Sequence, residues 1–196
     1  MVNVRAEIIE GNTIVGNRAG DHGGGVHVAN PGGAVVSAEI RGNLIAFNVA
    51  RWESRVVAAA GGIWLNDVAA WVHENTIVFN IGFQSGSTAG GGIGMREGTD
   101  SVIERNIIAM NDGGGIRCEI EGPPAIRDNL AWQNPGGEGW GLCAGWTDSG
   151  GNVVADPYSC DAGGGSSPWP RTRPPSATRQ VLWGRSRWPG AGRCRC

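Results

Sequence analysis

Four short stretches of the sequence carry the side chains best suited to chemistry, and each begins with two glycines. They read GGVHV at 24–28, GGIWL at 61–65, GGIGM at 91–95 and GGIRC at 114–118. In each stretch the first and third residues after the glycines are apolar, so the residues between and after them face the other way. Those outward positions hold His27, Trp64, Asn66, Asp67, Arg96, Glu97, Arg117 and Glu119.

These residue types suit a reaction on an acidic polysaccharide. Trp64 offers a flat face for a sugar ring, and arginines offer forked donors for carboxylates. Removing the proton beside a uronic-acid carboxylate requires a positive group, a base and assistance to the leaving oxygen. We expect Arg117 or Arg96 to act as the base or to neutralise the carboxylate. His27 or the nearby His22 is an alternative base.

The remaining outward side chains are predicted to bind substrate together with Trp64: Asn66, Asp67, Glu97 and Glu119. Asp67, Glu97 and Glu119 could also hold calcium, which prefers oxygen ligands. The alternative interpretation is that these polar residues are ordinary solvated surface and that Trp64 serves packing.

A second repeat explains how the four stretches could lie side by side. The pattern Asn-x-Ile-x-x-Asn occurs at 12–17, 43–48, 75–80 and 106–111, and in a looser form at 129–134. The first asparagines are separated by 31, 32, 31 and 23 residues. Short apolar alternations between Gly- and Asn-rich corners, without a helical period, predict strands wound into a coil that stacks on itself.

Stacking the repeats produces columns of like residues. The predicted core columns are Ile9, Ile40, Val72, Ile103 and Ile126, then Ile14, Ile45, Ile77, Ile108 and Ala131, then the apolar residues after each glycine pair. Each buried Val or Ile contributes about 1.5–3 kcal/mol. The asparagines should turn corners, where they tolerate left-handed backbone and can bond one another in a ladder.

Charged columns precede each first asparagine. The column two residues before it contains Glu10, Arg41, His73, Glu104 and Arg127. Signs largely alternate along this column, as stacking at about 4.8 Å requires. We interpret it as a surface charge ladder, with a catalytic carboxylate among its members as the alternative.

The asparagine corners and the interleaved Gly-Gly-Ile strands resemble the right-handed parallel β-helix proteins of the pectin-lyase-like superfamily. The resemblance covers about residues 4–160, including the closing segment ADPY at 155–158. It implies an all-β fold, a right-handed parallel β-helix of about five coils with three short sheets. This superfamily contains polysaccharide lyases, hydrolases and epimerases as well as adhesins without a known reaction, so the fold alone does not give the function.

Composition divides the chain into two regions. Residues 1–162, the predicted β-helix domain, hold nine arginines against all 18 acidic residues, a net charge of −9. Residues 163–196 hold seven arginines and no acidic residue. Their composition predicts a disordered tail, which could be an out-of-frame product. We weighed nucleic-acid binding by this basic tail and do not expect it.

The cysteines and the N-terminal residues indicate in which cellular compartment the protein is expected. Cys118 falls in an inward column and is expected to be a small core residue, while Cys143 and Cys160 could form a disulfide that suits an exported protein. The chain shows neither a signal peptide nor a membrane span. No cap precedes Val4, so we expect a C-terminal part of a longer protein whose export signal lies upstream or was lost.

These observations favour an exported, monomeric protein, outside the cell or on its surface, that binds or processes a polysaccharide or cell-surface glycan. A lyase acting on a uronic-acid polymer is the enzymatic form of this hypothesis. The alternatives are a non-catalytic surface or adhesion solenoid and an incomplete fragment without activity. Calcium is the one cofactor for which the residues offer ligands.

Overall fold

The structure is a computed structural model, and it describes residues 5–30, 36–52, 60–84, 87–88, 90–96, 100–119, 123–148 and 150–157. The chain forms two compact units, residues 1–154 and 155–196. All the strands described below belong to the first unit. The predicted boundary at 162/163 and the tail beyond it lie outside the described residues.

The first unit consists of short strands that follow the repeats. The first circuit of the chain contains β1 (Arg5–Glu10), β2 (Thr13–Val15), β3 (Arg18–Ala19) and β4 (Val26–Ala29). The second contains β5 (Val36–Arg41), β6 (Leu44–Ala46), β7 (Val49–Trp52) and β8 (Ile63–Asn66). The third contains β9 (Ala69–His73), β10 (Thr76–Val78), β11 (Ile81–Gln84), β12 (Ser87–Thr88) and β13 (Ile93–Arg96).

Later circuits are shorter. The next contains β14 (Val102–Glu104), β15 (Ile107–Ala109) and β16 (Ile116–Cys118). It is followed by β17 (Ala125–Arg127), β18 (Leu130–Trp132) and β19 (Gly139–Gly141), a 3-10 turn at Trp146–Asp148 and β20 (Val153–Val154). Within the described residues, no helix has the length and apolar character needed to cross a membrane.

Strands from successive circuits pair into four sheets. Sheet 1 has the order β1-β5-β9-β14-β17, sheet 2 β2-β6-β10-β15-β18-β20, sheet 3 β12-β11-β7-β3 and sheet 4 β19-β16-β13-β8-β4. Every pairing is parallel except that of β11 with β12. Stacked parallel strands confirm the predicted all-β, parallel β-helix architecture.

The expectation of three sheets was wrong, because the structure has four. Sheet 3 was missed because it has no column of large apolar residues in the sequence. Its strands β3, β7 and β11 follow the second asparagine of the first three repeats and are aligned by backbone hydrogen bonds. The amide of Val49 donates to the carbonyl of Asn17 at 2.9 Å, and the amide of Ile81 donates to that of Asn48 at 2.8 Å.

The predicted core columns are in register. Ile9 pairs with Ile40, Ile40 with Val72, Val72 with Ile103 and Ile103 with Ile126. Ile14 begins an equivalent column in sheet 2 that runs through Ala131, the last member predicted, to Val154 of β20. Ile40, Val72 and Ile103 are completely buried. The apolar periodicity of the sequence therefore gave the correct inward positions.

Two asparagine ladders run along the solenoid on either side of sheet 2. In each step, the backbone amide and the side-chain Nδ2 of one asparagine both donate to Oδ1 of the asparagine in the next circuit. For Asn80 these bonds to Asn111 both measure 3.0 Å, and Nδ2 also donates to the carbonyl of Ile45 at 2.9 Å. The second ladder ends on the carboxylate of Glu138, which accepts from Asn134.

The left-handed backbone lies one residue earlier than we expected. The residue before each ladder asparagine has a positive φ, and these residues include Phe47 at 57°, Phe79 at 57°, Arg105 at 53° and Gln133 at 45°. The asparagines themselves are not in this conformation, because each presents both its backbone amide and its side chain to the next circuit. The chain therefore reverses at the residue before them.

A disulfide joins Cys118 to Cys143, with a Cα–Cα distance of 5.3 Å. The predicted Cys143–Cys160 pair was therefore wrong, and Cys118 is more than a small core residue. Both cysteines are buried, at 2% exposure each. Cys118 comes at the end of β16, and the turn after β19 brings Cys143 against it. Cys160 lies outside the described residues.

Candidate functional site

The outward residues of sheet 4 form the rows that the glycine-led stretches predicted. His27 pairs with Trp64, Trp64 with Gly94 and Gly94 with Arg117. In the adjacent row, Asn66 pairs with Arg96. The parallel register thus brings side chains from distant parts of the sequence onto one surface, here called the sheet 4 face.

Trp64 is not available as a platform for a sugar, which corrects its expected role. Its side chain is only 1% exposed and packs with Ala60. The indole spreads over Gly94, where a β-carbon would be 2.5 Å from Trp64 Cε3. The neighbouring glycine leaves room for the ring to lie flat against the sheet, so the indole is covered.

Arg117 is also less accessible than its position in the row suggested. The residue is 6% exposed, and Nη2 is 3.0 Å from Glu119 Oε1. Burial lowers the pKa of Arg117, and the charge and hydrogen bond of Glu119 oppose this shift. The arginine therefore has a partly buried carboxylate partner, and the pair contributes to the structure of the sheet 4 face.

The carboxylates proposed to bind calcium do not converge in the described residues. Asp67 is exposed and accepts a hydrogen bond from Asn30 Nδ2 at 3.1 Å, while Glu119 pairs with Arg117. Glu97 lies outside the described residues. No three His, Cys, Asp or Glu side chains gather as metal ligands in the part of the chain that the structure describes. Asn66 is half-buried beside Arg96.

Two histidines and an aspartate do converge at the edge of the sheet 4 face. His22 Nδ1 is in close contact with the Asp21 carboxylate. The His22 ring centroid is 5.6 Å from that of His27 and 4.8 Å from that of Trp64. His27 is exposed, whereas the side chain of His22 is 14% exposed. We call Asp21, His22 and His27 the imidazole cluster.

The electrostatics of the imidazole cluster favour neutral rings. Burial lowers the pKa of both His22 and His27, and the negative charge of Asp21 opposes this effect on each. For His22, the charges of His27 and Arg96 lower the pKa further. Neutral imidazoles can accept protons, and Arg96 places a positive charge nearby.

Sequence reasoning missed Asp21 as a member of this cluster. The signal was its position in GDHGGG, directly before His22 and the first glycine pair. An acidic residue adjacent in sequence can hold one imidazole nitrogen and leave the other as the acceptor.

The predicted charged column on sheet 1 is in register, but its interpretation as a surface ladder was wrong for two of its members. Glu104 is 3% exposed and His73 5% exposed. Glu104 accepts from Arg127 Nε at 2.6 Å and from Trp71 Nε1 at 3.1 Å, and it also pairs with Arg105 at 2.6 Å. Burial raises the pKa of Glu104, but these hydrogen bonds and charges outweigh it and lower the pKa overall. A carboxylate held ionised by several donors stabilises the stack and is a poor proton donor.

The comparisons with known proteins agree with this geometry. Residues 2–154 match the family model described as a right handed beta helix region. No curated protein and no solved structure matched the chain. Because the family model spans most of the chain and the stacked parallel sheets occupy the same residues, the chain belongs to the right-handed β-helix family.

Proposed function

We propose that the chain binds a uronic-acid polysaccharide along the sheet 4 face and cleaves it by proton abstraction at the imidazole cluster. One observation carries the proposal: His22, paired with Asp21, lies beside the exposed His27, and the positive charge of Arg96 is close to it. These groups supply a base and a counter-charge for a sugar carboxylate.

Each residue has a stated role in this reaction. Asp21 orients His22, and His22 packs against His27, the exposed member that reaches substrate. Arg96 neutralises the uronic carboxylate and so acidifies the neighbouring C–H. His27 accepts that proton, the carbon–oxygen bond to the leaving sugar breaks, and the departing oxygen takes a proton from water. The product contains a carbon–carbon double bond that absorbs ultraviolet light.

This proposal changes the roles of some residues that the sequence analysis predicted for the site. His27 and Arg96 keep catalytic roles, whereas Arg117, with its partly buried partner Glu119, is a positioning residue. Asn66 and Asp67 border the surface as substrate contacts, and Glu97 stays a prediction.

The direct test is an absorbance assay on the purified chain with pectate, alginate and other uronic-acid polymers, with calcium and then with a chelator. We expect His27→Ala to lower the rate about 100-fold or more, the usual contribution of a general base. Arg96→Ala should both raise KM and lower kcat, because the arginine contacts the substrate carboxylate in the proposed reaction. Arg18→Ala removes an exposed arginine of sheet 3 and serves as the matched control. A folded protein that gives a flat trace on every polymer would reject the lyase.

A glycan-binding solenoid without catalysis is the second candidate, and the burial of Trp64 and Arg117 favours it. Trp64 and Arg117 were expected to hold or process substrate, and in this candidate both serve the structure instead. In this case the sheet 4 face binds an acidic glycan through Arg96 and the imidazole cluster and turns nothing over. Affinity electrophoresis in polymer-containing gels separates the two candidates, because only the lyase shortens the polymer.

We also propose that the protein functions outside the cell. The Cys118–Cys143 disulfide supports this location, since disulfides persist in oxidising compartments. Thiol labelling of the protein from fractionated cells tests it: a fully reduced cytoplasmic pool would contradict export.

A further inference from the structure

A groove crosses the outer face of sheet 1, away from the residues assigned to the imidazole cluster. Its volume is about 280 Å³, and its polar and aromatic lining consists of Glu7, Ser37, Glu39, Trp71 and Asp100. Ile8 and Val102 also border it. Because the lining comes from β1, β5, β9, β14 and the turn before β14, the groove runs across successive strands.

The shape of the groove follows from the register of sheet 1. Ser37 pairs with Ala69, so two small side chains lie side by side on the outer face. The neighbouring row contains Ile8, Glu39, Trp71 and Val102, which pair in that order. Large residues beside small ones produce a trench along the direction of stacking. Four strands spaced by about 4.8 Å give it a length of about 14 Å, which suits an extended chain better than a compact ligand.

Among the described residues that line the groove, Trp71 is the tryptophan that can serve as a platform. It is 42% exposed, and the imidazole of His73 stacks against it with a centroid distance of 4.0 Å. Its Nε1 donates to the buried carboxylate of Glu104 at 3.1 Å, which fixes the ring. Trp71 lines the groove and His73 does not, so the side of the indole away from His73 faces the groove. A fixed, exposed indole is well suited to a sugar ring or a cation.

The charge of the groove selects the occupant. Glu39 and Asp100 contribute carboxylates, and among the lining residues that the structure describes none is basic. Glu39 already accepts from Arg41 Nη1 at 2.9 Å and lies 3.1 Å from His73 Nε2, so Asp100 is the lining carboxylate that attracts a cation. Asp100 is exposed, whereas Glu7 pairs with the core residue Ala38 and so lies in the inward row of sheet 1. A uronic-acid polymer would be repelled by this surface, whereas a protonated amine would be attracted to the carboxylates and to the indole face.

We propose that the sheet 1 groove is a separate carbohydrate-binding site for a polysaccharide that carries free amino groups, such as a glucosamine polymer. The sugar ring stacks on Trp71, and an amine on a neighbouring ring pairs with Asp100. This proposal is independent of the lyase, because it uses a different sheet and the opposite charge.

Calorimetric titration of the full chain with a glucosamine hexamer, at a pH at which its amines are protonated, tests the site. The N-acetylglucosamine hexamer, an oligolysine and a galacturonate hexamer are the comparison ligands. We expect the glucosamine hexamer to bind, to weaken as salt is added, and to lose at least 10-fold in affinity with Trp71→Ala. Asp100→Asn should lose several-fold.

Because Trp71 also bonds Glu104, a second variant separates binding from folding. Ala69→Gln fills the floor of the trench and leaves Trp71 in place, and it should weaken the hexamer equally. Phe47→Ala and Asp112→Asn, an exposed aromatic and an exposed carboxylate outside the groove, should bind as the unmodified protein does. Equal binding of the N-acetylated hexamer, tighter binding of oligolysine, or full affinity in both groove variants would each overturn the proposal.

Discussion

The indole of Trp64 lies flat over Gly94, with Cε3 at 2.5 Å from the position that a β-carbon on Gly94 would occupy. The two residues pair in adjacent strands of sheet 4. The tryptophan of one circuit therefore depends on the absence of a side chain in the next.

The variant Gly94→Ala should destabilise the protein by about 1–3 kcal/mol, because the added methyl group overlaps a buried ring that has nowhere to move. Urea unfolding followed by far-ultraviolet circular dichroism measures the loss. Gly20→Ala is the matched control, since nothing lies within 4 Å of its β-carbon position. In a Trp64→Leu background the cost of Gly94→Ala should shrink. An unchanged cost in that background would show that the overlap is not the cause.

The variant Asn80→Ala should lower the free energy of unfolding by about 2–4 kcal/mol, since buried partners lose their bonds. Asn80 Oδ1 accepts from the backbone and side chain of Asn48, and its Nδ2 donates to Asn111. Asn17 stands in the same ladder but is exposed, so Asn17→Ala should cost less than about 1 kcal/mol. If urea unfolding showed the same loss of unfolding free energy for Asn80→Ala and Asn17→Ala, burial would not be the source of the ladder's stability.

Reduction of the Cys118–Cys143 disulfide should destabilise the unit by about 2–4 kcal/mol, because it closes a loop with a sequence separation of 25 residues. The variant Cys143→Ser should behave as the reduced protein does. Peptide mapping by mass spectrometry under non-reducing conditions identifies the partner. Recovery of a Cys143–Cys160 peptide in place of Cys118–Cys143 would refute this pairing.

Stability should fall as the pH is lowered from about 7 to about 5, because the pKa values of His22 and His27 are lower in the folded state than the ordinary 6.5. In this window the unfolded chain binds more protons than the folded chain, and the free energy of unfolding therefore rises with pH. Urea unfolding at several pH values measures the slope. His27→Gln should flatten it, and an identical slope in that variant would argue against His27 as a contributor.

The sequence was sufficient to predict the architecture because the same residue pattern recurs in every circuit. Ile40 and Val72 could be placed in one inward column from spacing alone, and parallel pairing then confirmed the column. The asparagine ladder was predictable for the same reason. Sheet 3 was not, since Val49 and Ile81 are aligned by backbone bonds that no side-chain pattern records.

Accessibility in the site was the part that sequence could not supply. The alternation correctly made Trp64 and Arg117 outward residues, but it does not tell whether an outward residue is covered. Ala60 and Gly94 decide this for Trp64, and Glu119 contributes to it for Arg117. Conversely, Trp71 lies in a strand that we interpreted through Val72 in its core column and His73 in its charged column, so the exposure of Trp71 went unnoticed.

The asparagine ladders also bear on how such a chain can change length. Successive ladder partners are 31 or 32 residues apart in the early circuits and 23 apart in the later ones, yet the amide contacts stay near 3 Å throughout. The corners therefore fix where each circuit closes, and the segment between sheet 2 and sheet 4 absorbs the difference. Insertions and deletions can therefore change the length of that segment independently in each circuit, and a whole circuit can be duplicated or lost. Neither change disturbs the asparagine hydrogen bonds that connect neighbouring circuits.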